Sequence, residues 1–245
     1  YKSVKTEGQG KSFAEIGRGM LKVLTNARLM ILILIISGFW MIQSQMYATM
    51  PKYVIRLIGE DASPGWYANV NPLIVFVLVN FITSFMKKRT AITSMTIGML
   101  IIPLSALVMA GGTLVGTDYI MGLHPVAFMM IVGIAMQAVA ECFISPRFLE
   151  YFSLQSPKGE EGLYLGFSHL HSFFSYLFAF GLSGFLLEKY LPDPRGFASP
   201  EAYAAATQNA HYIWFVFVGI GLVSAVALLI YGYVTRKIDQ KKIAG

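Results

Sequence analysis

Glu141 is the residue whose type and place most call for a chemical reason. It stands inside an apolar run that begins near His124 and ends at Ser145-Pro146 and a charged loop. Acidic residues within membrane segments are costly, face a bundle interior or a water-filled cavity, and mark functional sites by default. Burial disfavours the charged form of a carboxyl, as a site for a proton or a substrate cation requires. The plainer alternative is a carboxyl neutralised by an intramembrane hydrogen bond. Gln137, one helical turn earlier, is placed to be that partner.

Other polar side chains offer less. His169 and His171 are two residues apart, so on a continuous helix they point to different faces and do not form a metal pair. His124 and His211 fall at the ends of apolar runs, where a polar residue is expected. Asn80, deep in a run, reads as an interhelical hydrogen bond. Glu160-Glu161 with Lys158 reads as a solvated loop, and Cys142, the single cysteine, allows no internal disulfide. The chain has no paired His/Glu metal spacing, no Gly-rich phosphate loop and no Ser/His/Asp set on its apolar runs. The expectation is a protein that is not an enzyme and holds no cofactor or metal.

The elements that must position Glu141 follow from composition. Hydrophobic residues make up 56% of the 245 and charged residues 13%, which excludes an ordinary soluble domain; mean hydropathy is +0.60. The pattern predicts an all-α integral membrane protein. Six runs of the length that crosses a hydrocarbon core lie at 29–50, 66–86, 91–111, 124–145, 163–187 and 212–235. Residues 1–28 are basic, with Phe13, Ile16, Met20, Leu21 and Leu24 near helical spacing. They read as an amphipathic surface helix or as a plain solvated linker. Residues 236–245 form a basic tail.

Six crossings put both ends on one side. Of the 19 basic residues, all but Lys52, Arg56, Lys189 and Arg195 then fall on that side, including Arg28, Lys87, Lys88, Arg89, Arg147, Lys158, Arg236 and Lys237. By the positive-inside rule this face is cytoplasmic and the membrane is a plasma or inner membrane. The net charge of +6 is thereby a topological signal, and nucleic acid drops out as a partner. Gly and Pro inside the runs, among them Gly38, Pro72, Gly98, Pro103, Gly133 and Gly221, allow close packing and bending. Six spans are also the size of one transporter half built from three-plus-three repeats, although no residue-level repeat is visible.

Several short motifs occur in a fixed order: Phe39-Trp40 with Gln45 in the first span, Asn71-Pro72 opening the second, Lys87-Lys88-Arg89 after it and Thr96-Ile97-Gly98-Met99-Leu100 in the third. Glu141-Cys142-Phe143-Ile144-Ser145-Pro146, Ser156-Pro157-Lys158 and Tyr164-Leu165-Gly166 follow. In order and spacing this set resembles the C-terminal six helices, 7 to 12, of the proton-coupled oligopeptide transporter family within the major facilitator superfamily.

The resemblance implies a secondary transporter half that moves small peptides or similar organic solutes by alternating access with protons. An N-terminal six-helix half would lie in the same or another chain. Glu141 would match the helix 10 glutamate that engages a peptide amino group and would be the proton-coupling candidate. Asn71 would match a helix 8 pocket residue, and Trp40 and Gln45 helix 7 positions near the cavity. Trp40, Tyr47, Phe173, Phe174, Phe178 and Phe180 otherwise read as packing and lipid contact. The chain departs from the family pattern at Ser44, where an acid commonly stands, at Phe148 in place of a glycine, and at Ser168 in place of a tryptophan. It also lacks the helix 1 signature Glu-x-x-Glu-Arg-Phe-x-Tyr-Tyr. A membrane scaffold subunit derived from such a half is the alternative these departures favour.

Overall fold

The computed structural model describes the backbone of residues 13–116 and 118–244 and the side chains of 17–116 and 118–241. Lys2, Lys5 and Lys11, and the side chains of Phe13, Ile16 and Lys242, lie outside that description. Helix α1 (Phe13–Leu24) leads into α2 (Ala27–Gln43), whose start is capped by the Asn26 side chain accepting from the Leu29 amide. Val23 is fully buried, while Met20, Leu21 and Leu24 stay exposed.

The first span does not end near residue 50 as one helix. It continues in pieces as α3 (Gln45–Ala48) and α4 (Met50–Ile58). Pro51 sits in the first turn of α4, where its missing N–H is tolerated. The second span is likewise split into α5 (Gly65–Ala68) and α6 (Val70–Phe85), since Pro72 cannot donate to the carbonyl of Ala68. Helix α7 (Ala91–Gly111) starts where Thr90 Oγ1 accepts from the Thr93 amide at 3.2 Å.

The largest difference from the expected boundaries is α8 (Pro125–Gln155), which runs through Pro146 for nine further residues. A proline inside a helix removes one donor and strains the preceding turn. Here Ser94 Oγ on α7 donates to the Phe143 carbonyl in that turn at 2.8 Å, and Arg147, Phe148, Tyr151 and Phe152 beyond it are buried. The helix stops instead before Pro157, with Ser156 in extended backbone as a residue preceding proline prefers. The fifth span is interrupted at His169, between α9 (Glu161–Ser168) and α10 (Leu170–Tyr190). The loop that follows contains α11 (Pro200–Thr207), capped by Ser199, and α12 (Tyr212–Ala244) carries the chain through the basic tail.

Taking the pieces of each span together, six helical stretches are long and apolar enough to cross a membrane. Among the described residues the only β pairing is an isolated bridge between Ile120 and Leu123. The main helices pack in the order α6, α8, α7, α12, α2, α10. Exchanging the first three spans with the last three, α2 for α8, α6 for α10 and α7 for α12, returns the same order reversed.

The close contacts follow the same exchange. A Cβ built on Gly98 of α7 would lie 2.6 Å from the Ala140 carbonyl oxygen of α8, and one on Gly133 of α8 would lie 2.5 Å from Met109 of α7. In the corresponding pair, one on Gly38 of α2 would overlap Ser224 of α12, while one on Gly221 of α12 would lie 3.0 Å from Pro103 of α7 and 3.1 Å from Ile42 of α2. In both pairs each helix supplies a residue without a side chain, which lets the neighbouring helix pack closely there.

Outward positions remain apolar: Phe76, Phe81 and Phe85 on α6, Phe173, Phe178 and Phe180 on α10, and Val223 and Ile230 on α12 are exposed. In lipid such a surface is solvated, and helices satisfy most of their backbone polar groups internally. At the basic end, Arg28 donates through both terminal nitrogens to Asp239, each at 2.8 Å, and through Nε to the Tyr151 hydroxyl. Tyr151 and Tyr231 share a hydrogen bond at 3.0 Å, which ties α2, α8 and α12 together at that end.

Candidate binding site at Glu141

Three helices converge on Glu141. The carboxyl lies on α8 in the helix interior, partly exposed, one residue after the Ala140 carbonyl that Gly98 lets α7 approach. Its Oε2 accepts from Gln43 Nε2 of α2 at 2.8 Å and from Asn71 Nδ2 of α6 at 3.1 Å. Both amide side chains are buried. Two donors on one oxygen hold the carboxyl in a single orientation, and among the described residues no hydrogen bond reaches Oε1.

Gln137 is not part of the cluster. It is fully buried with Nε2 directed at Met109 Sδ of α7, 3.8 Å away, and the Glu141 partners come from other helices. Of the residues expected at the site, Asn71 is in direct contact with Glu141. Gln45 is not: it is fully buried toward α10, donating to the Met41 carbonyl at 2.8 Å and the Ala179 carbonyl at 3.5 Å and accepting from Thr49. Thr49 in turn shares a hydrogen bond with Ser183 of α10 at 2.7 Å. Ser44, between the two glutamines, is buried with its hydroxyl turned to the Met41 carbonyl.

Gln43 is the residue that the sequence reading missed, and a signal for it existed. On a helix of about 100° per residue, Gln43 lies about 60° from Trp40 around the axis and Gln45 about 140°. Residues three apart share a face. Trp40 itself stacks on His171 of α10 with ring centroids 5.2 Å apart, and His171 meets Phe148 of α8 edge-on at 5.2 Å. Trp40 Nε1 and Gln43 Oε1 are buried and have no hydrogen-bond partner among the described residues. The α2 face that carries Gln43 thus holds one donor and one acceptor that no described residue meets.

The two histidines come closer than helical spacing alone implies. The break at His169 places its ring 5.9 Å from that of His171, while the His171 Nδ1 bonds the Ser168 carbonyl. Among the described residues no three His, Cys, Asp or Glu side chains gather as a metal site would require.

Replacing Gln45 by leucine tests this structural role. The bond to the Ala179 carbonyl of α10 is lost, and Thr49 keeps only Ser183 as a partner. A buried hydrogen bond is worth about 0.5–1.5 kcal/mol. Thermal unfolding in detergent is expected at lower temperature; an unchanged midpoint would show that Gln45 does not help hold α10 in place.

Fold and site together define an all-helical, multi-pass membrane protein with a carboxylate-diamide cluster where three of its helices meet. No protein-family model matches the chain, and no curated protein matches it.

Proposed function

We propose that this chain is the C-terminal six-helix half of a secondary transporter of the major facilitator type, carrying small peptides or similar organic solutes by alternating access with protons. The observation that carries the reading is the Glu141 cluster, which joins the first helix of one helix triple to the first helix of the other. In transporters built of inverted repeats, substrate and ion sites lie near the bilayer midplane at the repeat interface. The reversed packing order on exchange of the triples supports such a repeat, and so do the paired glycine contacts. Glu141 Oε1 would accept a substrate amine or a proton, and Asn71, Gln43 and Trp40 would line the same wall. The basic end would be cytoplasmic, with both ends of this segment on that side of a plasma or inner membrane. A second six-helix half would supply the facing wall.

A second reading, a non-transporting scaffold subunit, draws on Ser44 and on the hydrogen bonds already made to Glu141, which would also serve as a staple between helices.

Reconstitution distinguishes them. Proteoliposomes of the natural protein are energised with an inward proton gradient and offered a panel of labelled di- and tripeptides, amines and organic acids. Saturable uptake that collapses with a proton ionophore is the expected result. Absence of uptake across the panel, with protein inserted and folded, overturns the transport reading in favour of the scaffold.

A further inference from the structure

The basic end of the bundle contains a second feature, separate from Glu141. A cavity of about 470 Å³ opens among the ends of α2, α7, α8 and α12. Five cationic side chains line it, Arg28, Lys87, Arg89, Arg147 and Arg236, against two carboxylates, Glu150 and Asp239. Asp239 is engaged by Arg28 through both oxygens. Glu150 accepts from Arg147 Nη1 at 2.6 Å. Lys87, Arg89 and Arg236 make no ion pair with the described residues.

Arg147 is the informative member. It is on the helical extension beyond Pro146, only 6% exposed, and its Nε and Nη2 are buried with no hydrogen-bond partner among the described residues. A guanidinium carries five N–H donors in a fixed fork. Leaving buried donors of a charged group unmet is costly, and one carboxylate on one nitrogen does not meet them. Topological sorting accounts for exposed cations at helix ends but gives no reason to bury one. An oxyanion that accepts two parallel N–H bonds does, and a phosphate oxygen pair matches that fork. The start of α7 also lines the cavity at Ala91 and Ile92, and a helix N-terminus favours an anion.

We propose that this cavity binds a phosphate group. Arg147 is its fixed ligand, and Lys87, Arg89 and Arg236 are the surrounding charge. Its position at the end of membrane-spanning helices, with Leu154 and Ile92 in the wall, suits the headgroup of an anionic phospholipid; a soluble phosphate would use the same chemistry. The site does not depend on whether the bundle transports.

The test uses the whole natural protein, delipidated in a neutral detergent. It is then titrated separately with phosphatidylglycerol, phosphatidylcholine and inorganic phosphate, and bound ligand is counted by native mass spectrometry. Wild type is expected to retain phosphatidylglycerol over phosphatidylcholine. Arg147→Gln should weaken that retention about tenfold or more, the loss of at least one charge-assisted bond. The double variant Arg89→Gln/Arg236→Gln changes exposed positions only, so it keeps the fold and should weaken retention as well. Binding of inorganic phosphate that depends on the same arginines, without preference among lipids, upholds the phosphate site and assigns it to a soluble ligand. Equal retention of both lipids with no phosphate binding, or retention unchanged in the double variant and in folded Arg147→Gln, overturns the proposal.

Discussion

Replacing Glu141 with glutamine should abolish proton-driven uptake, by about 100-fold or more, while the protein still inserts and remains monodisperse. The magnitude follows from removing the one ionisable partner of two hydrogen bonds from buried amides, which costs about 2–5 kcal/mol in comparable contacts. Gln43 and Asn71 both present amide donors to Oε2. A glutamine at position 141 can set its carbonyl oxygen where Oε2 stands and still accept from both amides, so the helix contacts are kept while the charge is removed. It can neither ionise nor carry a proton. Glu141→Asp keeps the charge but withdraws it by one methylene from both amides, and an intermediate loss is expected. The readout is initial uptake rate per inserted molecule, with circular dichroism and size-exclusion profiles as controls. Unchanged uptake in Glu141→Gln would leave the carboxyl as a structural bridge among α2, α6 and α8.

What the sequence made legible, and what it did not, divides along physical lines. Apolar runs of spanning length located all six crossings, because desolvation of the backbone leaves few alternatives in lipid. Glu141 stood out for the same reason, and Asn71 proved to be its neighbour. Boundaries failed where proline was taken as a stop. Pro146 lies inside a helix because Ser94 on the neighbouring helix serves the strained turn, and no local pattern encodes a partner about fifty residues away in the chain. That error also hid Arg147, which a helix end would have left in a solvated loop. Gln45 was favoured over Gln43 by motif spacing when the helical wheel pointed the other way. The exchange symmetry of the helix packing leaves no residue-level trace because it requires small residues at crossings and apolar ones elsewhere, a demand many sequences meet.

Gly98→Val should be the most destabilising of the single substitutions at the helix crossings, and the reason is backbone rather than side chain. A Cβ at position 98 would lie 2.6 Å from the Ala140 carbonyl oxygen and 2.6 Å from Ile144 Cγ1. Ile144 can change rotamer. The Ala140 carbonyl is fixed in α8, so α7 and α8 must move apart, at about 1–3 kcal/mol for overpacking and more if the Ser94 bond to Phe143 breaks with them. Alanine at the same position brings the same Cβ and should still destabilise. Gly184→Ala on α10 provides the opposite sign: nothing lies within 4 Å of a Cβ there, and replacing glycine within a helix should stabilise by about 0.5–1 kcal/mol. Thermal unfolding of the three variants in one detergent checks the contrast. If Gly98→Ala and Gly184→Ala shift the midpoint alike, close approach at residue 98 is not what holds α7 to α8. If the contrast stands, separating these helices also displaces Glu141, the next residue after Ala140, from Gln43 and Asn71. Gly98→Val should then lose uptake beyond what its folded fraction explains.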